Sequence, residues 1–240
     1  MSNSVSGTAV DSNVENEWAD EQAILDFVRE KLHVAAVCDI LDDLGHRNQA
    51  MHHRLRPLLP DIHSCGFVGR ARTLRWMETD YIVEEDPYGL EIDFMDSLGA
   101  GEVIIHSTDH AGTNAPWGEL MTTVAQYHGA VGCVADSQIR DTVQIIQMGF
   151  PVYYTGIRPL DSKGRARVMA YDTPVRCGEV LVYPGDLVFA DYDGIVVIPQ
   201  DAVQQVLRLA QTKMEMESVT RQELLKGRTL REVYNQYGVL

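Results

Sequence analysis

Paired cysteines, basic charge and long apolar runs are what this sequence lacks. Its four cysteines, Cys38, Cys65, Cys133 and Cys177, form no CxxC pair and no zinc or disulfide spacing. That excludes a disulfide scaffold, and the thiols read as reduced and mostly buried. Lys and Arg number 20 against 35 Asp and Glu, a net charge of -15. Such a surface repels phosphate backbones, which argues against sequence-general nucleic-acid binding. No stretch approaches the ~18 apolar residues of a membrane span. The first residues carry neither a charged n-region nor an apolar h-region, so a cytoplasmic protein is expected. With 45% hydrophobic and 23% charged residues the composition is that of an ordinary globular protein, not a disordered or collagen-like one.

Residues 1–19 read as a flexible N-terminal segment ahead of one domain over 20–240. Ile24, Leu25, Phe27, Val28 and Leu32 form a helical stripe, and a second helix over 34–44 stops at Gly45. Residues 46–62 read as a loop and 66–76, which alternate apolar and polar, as a strand. Residues 78–102 carry nine acids, read as a solvated helix face with loops. A βα alternation follows: strand 103–106, helix 117–128, strand 129–136, helix 141–149 and strand 151–155, which predicts an α/β domain. Short strands over 167–170, 179–183, 187–190 and 195–199 suggest a β-rich lid or second sheet. Asp201 with Gln204, and Thr229 with Glu232, have capping-box spacing at two C-terminal helices.

Two local features carry chemistry. Trp117-Gly118-Glu119-Leu120-Met121 opens a helix, so the Leu120 and Met121 amides point outward, suited to a carboxylate or phosphate. From spacing alone Glu119 is first of all an acid complementing the helix dipole; its other reading is a base or a ligand to metal-bound water. Asp136-Ser137-Gln138-Ile139-Arg140-Asp141 follows an apolar strand and precedes a helix, where α/β sheets bind ligands. Arg140 offers a planar fork for a carboxylate, and Asp141 a hard oxygen for Mg²⁺ or Mn²⁺. An Arg-Asp pair that merely caps a helix is the plainer alternative.

The segment APWGELMTTVAQYHGAVGCVADSQIRD (115–141) resembles the RraA-like family, which includes divalent-metal-dependent 4-hydroxy-4-methyl-2-oxoglutarate and 4-carboxy-4-hydroxy-2-oxoadipate aldolases. The family pattern is Gly-Asp/Glu-Leu followed by Val-x-Asp-Gly-x-x-Arg-Asp. VCDIL (37–41), LGAGEV (98–103), PGD (184–186) and DGIVVIP (193–199) extend the resemblance over 34–240. It implies a swivelling β/β/α fold with a β-rich portion and C-terminal helices, in homotrimers or homohexamers with sites between subunits. It also implies a small anionic 2-oxo acid substrate and a Mg²⁺ or Mn²⁺ cofactor. Arg140 would bind the substrate's carboxylate or hydroxyl region, and Asp141 would hold the metal. Glu119 would reach metal-bound water, and Gly118 with the Leu120 and Met121 amides would contact substrate. Glu217 of a neighbouring subunit, or alternatively Glu215, would complete the metal site.

Two departures stand out. Ser137 replaces the family's Gly, suggesting a tighter strand exit. Glu119 in place of Asp moves the carboxylate by ~1.5 Å, about one C–C bond. Regulators of ribonuclease activity in the same family lack the Asp of the Arg-Asp pair; Asp141 favours catalysis. The implied chemistry is retro-aldol cleavage through a pyruvate enolate, with oxaloacetate decarboxylation running through the same enolate. A non-catalytic binding protein, or a lyase on another hydroxy or sugar acid, are the alternatives. No Lys lies in either motif, which gives a Schiff-base route little support.

Other candidates read more plainly. His46, His52, His53 and His63 lie around a loop without helical metal spacing. His106, Asp109 and His110 flank a strand end, where His110 could line a pocket. Arg70 and Arg72 share a strand face that is either solvated or attracts anions. Asp186, Asp191 and Asp193 read as turn residues.

Overall fold

The computed structural model describes residue 18 and residues 20–108 and 114–238; Asp109 and His110 lie outside that range. The elements, in chain order, are α1 (Glu21–Lys31), α2 (Val34–Asp43), β1 (Arg56–Pro57), β2 (Phe67–Glu78), α3 (Leu90–Asp96), β3 (Glu102–Ser107), α4 (Glu119–Tyr127), β4 (Gly132–Ile139), α5 (Thr142–Met148), β5 (Val152–Ile157), β6 (Ala166–Tyr171), β7 (Val175–Cys177), β8 (Val180–Val182), β9 (Leu187–Asp191), β10 (Gly194–Ile198), α6 (Val203–Leu225) and α7 (Leu230–Tyr237).

One mixed sheet organises them, in the order β1-β5-β4-β3-β2-β9-β10, with β6 beside the distal half of β2. Strands β2 to β5 are parallel neighbours, as βα crossovers require, and β9 and β10 continue the sheet antiparallel. Ala50 bridges Val196 of β10, and Arg56, a few residues on, pairs with Tyr154 of β5. The chain between them nearly closes the sheet on itself.

Strand alternation then sorts the core into three. Val103, Ile105, Val134, Val188 and Val197 point inward, where the β7–β8 hairpin adds Val175, Cys177, Val180 and Val182. Outward, α1, α2 and α6 cover β9 and β10. On the other outer flank Phe94 and Met95 of α3, Leu98 just beyond it, Ala125 of α4 and Ile145 of α5 pack around Ile104, Cys133 and Ala135.

Several sequence expectations need correction. The strands after residue 186 form no lid or second sheet: β9 and β10 belong to the main sheet, and only the β7–β8 hairpin stands apart. Asp201 caps nothing, because α6 is entered through a 3-10 turn and its N-cap is Ala202, without a side-chain bond. The capping box at Thr229 and Glu232 is present. Arg70 and Arg72 are held in ion pairs at the surface: Arg70 pairs with Glu21 at 2.6 Å and Arg72 with Glu102 and Asp172 at 3.0 and 2.8 Å. Asp186 and Asp191 do serve backbone amides, the latter capping α2 through the Val34 N–H at 2.9 Å. All four cysteines are free. Trp18, within the segment expected to precede the domain, is buried against Phe27. No described helix is long and apolar enough to cross a membrane.

Strand β4 does not end at Ser137. It bulges between Ala135 and Gln138 and runs on to Ile139. Asp136 is therefore an in-strand residue facing the interior, 3% exposed. It accepts two bonds from Arg54, at 3.1 and 2.8 Å, and one from the Gly178 amide at 2.8 Å. Asp136→Ala would take these bonds from the Arg54 guanidinium, which keeps Glu179 at 3.2 Å, and from the Gly178 amide; a loss of about 2 kcal/mol is expected in urea unfolding, the scale of losing hydrogen bonds to a charged group. A loss under about 1 kcal/mol would show that the pair does not hold the β7–β8 hairpin.

Candidate functional site

The end of β4 and the start of α4 meet at one point. Trp117 bridges Ile139, and the Arg140 amide donates to the Trp117 carbonyl at 2.9 Å. This clamps Gly118-Glu119 against Arg140-Asp141. A Cβ on Gly118 would lie 2.6 Å from Asp141 Oδ2 and 3.1 Å from Arg140 Cγ, so only glycine permits that approach.

Asp141 is the N-cap of α5 by position but not by bonding. Its φ of 55° lies in the left-handed region, which Asp tolerates better than most residues, and its side chain bonds no α5 amide. Oδ2 instead accepts the Glu119 N–H of α4 at 3.2 Å. The plainer alternative, a helix cap, is thus met by Asp141 at a different helix from the one it precedes. The Leu120 and Met121 amides follow in the first turn of α4, with no acceptor among the described residues. The Glu119 and Asp141 side chains are exposed and that of Arg140 half-buried. Gly118, Glu119, Leu120, Met121, Arg140 and Asp141 are therefore brought together.

Glu217 is not brought to them within one chain. It lies on α6, 3.9 Å from Lys213 Nζ, which bonds Asp39 of α2 at 2.8 Å. That helix covers the β9–β10 flank, whereas Arg140 emerges on the α3–α5 flank. Glu215 accepts from Gln211 on the same helix.

Three residues that the sequence reading passed over stand beside Arg140. Asp161, in the loop after β5, places Oδ1 3.3 Å from Arg140 Nη2. Tyr88 donates its hydroxyl to Asp161 Oδ2 at 2.9 Å. Glu91 of α3 is 4% exposed, and burial, then the Asp161 charge, push its carboxyl up to about 8 while Arg140 pulls the other way. The acid run over 78–102 is thus not wholly solvated. Acid spacing gave no hint of Glu91, but its place in the sequence GLEIDFMDSL, three residues before Phe94, puts it on the helix face that packs inward.

The histidines form no metal cluster: no three His, Cys, Asp or Glu side chains converge among the described residues. His52 stacks on His53 and lies 3.7 Å from Glu179. His106 is sealed beside Trp76, and burial lowers its pKa to about 3, so it is a neutral core histidine.

Comparison with known proteins adds four findings. The RraA-like (Aldolase/RraA) family model matches residues 34–197. A Thermus thermophilus 4-hydroxy-4-methyl-2-oxoglutarate aldolase is 27% identical over 136 residues, covering 56% of this chain and 76% of its own length. Legionella pneumophila protein DlpA is 25% identical over 203 residues, 85% of this chain, but the match spans only 32% of DlpA. Among solved structures, a Streptomyces coelicolor protein described as an unusual member of the RNase ES inhibitor RraA protein family superposes with a TM-score of 0.73 and 27% identity, covering 85% of this chain and 98% of its own.

Proposed function

This chain belongs to the RraA-like family, and from that premise we propose that it is a divalent-metal-dependent lyase that cleaves 4-hydroxy-2-oxo acids, such as 4-hydroxy-4-methyl-2-oxoglutarate, and releases pyruvate. The observation that carries the reading is the clamp of Gly118 and the open α4 amides against Arg140 and Asp141. Oxaloacetate decarboxylation is a second reaction of the same site.

The donor set fits Mg²⁺ or Mn²⁺. Asp141 and Glu119 present exposed carboxylates on either side of one backbone amide. Mg²⁺ takes one or two carboxylates and fills its remaining positions with water and substrate oxygens. Glu217 of a neighbouring copy in a trimer would add a further acid. When bound, the ion supplies Lewis-acid polarisation of the 2-oxo group.

Arg140 binds the substrate's C1 carboxylate and, with the Leu120 and Met121 amides, sets fixed positive potential where enolate charge develops. Glu119 accepts the C4 hydroxyl proton through a water. The C3–C4 bond then breaks, its electron pair moves into the C2–C3 enolate, and the C4 oxygen becomes a carbonyl. Protonation at C3 gives pyruvate. In oxaloacetate the bond broken is C3–C4 to the carboxylate, and CO₂ leaves.

A binding-protein reading draws on the Streptomyces neighbour. The intact Arg140-Asp141 pair weighs against it. The test is pyruvate release from 4-hydroxy-4-methyl-2-oxoglutarate and oxaloacetate with Mg²⁺, Mn²⁺ or EDTA. Metal-dependent release supports the lyase; its absence with both compounds favours the binding protein.

Gly118→Ala separates the site from the fold. The added Cβ meets the Asp141 carboxylate and the stem of the Arg140 side chain, not backbone, so the melting temperature should change little. Displacing Asp141 and Arg140 by about 1 Å should cost on the order of 100-fold in kcat/KM. Unchanged kinetics would show that the close approach does not matter.

A further inference from the structure

We propose that Asp161 and Glu91 are positioning residues for Arg140: Asp161, seated by Tyr88, fixes one guanidinium edge, and Glu91, walled off beside the pair, sets how much of the Arg140 charge is left for an anionic ligand. The inference rests on the reading of Arg140 as the substrate anchor.

The geometry has three parts. The Asp161 carboxylate is held at both oxygens, Oδ2 by the Tyr88 hydroxyl at 2.9 Å and Oδ1 by Arg140 Nη2 at 3.3 Å. The Asp161 carbonyl is also tied, to Arg165 at 3.2 Å, so the loop cannot swing freely. With Nη2 committed, the remaining guanidinium edge lies toward Gly118, where Arg140 Nε would be 3.3 Å from a Cβ on that glycine. Arg140 Nε is buried and has no hydrogen-bond partner among the described residues, with Asp141 Oδ2 standing off at 3.9 Å. A donor left in that state is suited to a ligand oxygen.

Glu91 completes the set. It is buried on α3, its carboxyl without a hydrogen bond or ion pair among the described residues and its amide donating to the Tyr88 carbonyl at 3.1 Å. The charged groups that reach it are Asp161 and Arg140. Those on the neighbouring elements are engaged elsewhere: Arg167 of β6 turns to the Asp86 carbonyl, Arg72 of β2 pairs with Glu102 and Asp172, and Glu119 stands exposed at the head of α4. A carboxyl so enclosed is protonated at neutral pH, its pKa pushed up to about 8 by burial and by Asp161. Below that pH, Asp161 at 3.3 Å and Asp141 at 3.9 Å offset Arg140. Above it a further carboxylate competes with the ligand for the guanidinium.

The sign for stability follows. Because the folded pKa lies above the unfolded one, the folded state holds the extra proton between about pH 4.5 and about 8, and stability declines as pH rises through that window. A purely structural Glu91 would show this decline and nothing more.

The test is calorimetric titration of oxalate into the full-length, Mg²⁺-loaded protein at pH 7 and pH 9. Wild type should bind about 5-fold or more weakly at pH 9, as expected for one added charge near a partly buried cation. Glu91→Gln, close in shape and unable to ionise, should lose that dependence and keep the pH 7 affinity. Asp161→Asn should bind more weakly at both pH values, and should raise KM for 4-hydroxy-4-methyl-2-oxoglutarate more than it lowers kcat. The same pH dependence in Glu91→Gln as in wild type would overturn the role of Glu91. Unchanged affinity in Asp161→Asn would overturn that of Asp161, and no oxalate binding by wild type at either pH would overturn both. Because the readout is binding, failure to release pyruvate would count against the lyase reading alone.

Discussion

Arg140→Ala should lower kcat/KM for pyruvate release by at least about 100-fold, the scale of losing a fixed cationic donor at a developing oxyanion. Three features converge on this residue. The end of β4 delivers it, the Arg140 amide's bond to the Trp117 carbonyl at 2.9 Å fixes its backbone, and Asp161 holds Nη2 at 3.3 Å. Its side chain keeps 35% of its accessible surface, so losing that half-exposed ion pair should cost only about 1 kcal/mol of stability. Steady-state kinetics beside a thermal melt separates the two effects. Full activity in a folded Arg140→Ala protein would remove the proposed anchor.

Asp141→Asn is the second large effect. The amide keeps an oxygen for the Glu119 N–H, which Asp141 Oδ2 now accepts at 3.2 Å, and so preserves the cap on α4, a contribution of about 1 kcal/mol. It removes the negative charge that a hard divalent ion needs. Mn²⁺ titration should show affinity reduced by 10-fold or more, and metal-dependent turnover should fall to the level seen with EDTA. Asp141→Ala should lose the same activity and, in addition, the cap. Wild-type Mn²⁺ affinity in Asp141→Asn would place the metal elsewhere.

What the sequence disclosed was local. Thr229 caps its helix through a bond spanning three residues, and Gly45 and Gly149 end theirs with positive φ. Gly118-Glu119 and Arg140-Asp141 were legible for the same reason, each being a short motif at a helix start. What escaped depends on distant pairing. Strand β2 gives its first half to β9 and its second to β6, and nothing within 67–78 names either partner. Asp161 looked like a loop residue and Glu91 like one acid in a solvated run. Only the packing of α3 against the flank that carries α4 and β6 brings both to Arg140. Asp136 was placed at a strand exit because a bulge in mid-strand leaves no mark in apolar periodicity.

The role proposed for the Gly118, Arg140 and Asp141 clamp is to stabilise a pyruvate enolate. Hydrogen–deuterium exchange at the pyruvate methyl group, followed by proton NMR in D₂O, tests it without knowing which 2-oxo acid the protein meets. Exchange should require Mg²⁺ or Mn²⁺, stop with EDTA and be lost in Arg140→Ala. Exchange no faster than in protein-free buffer with the same metal would contradict that role.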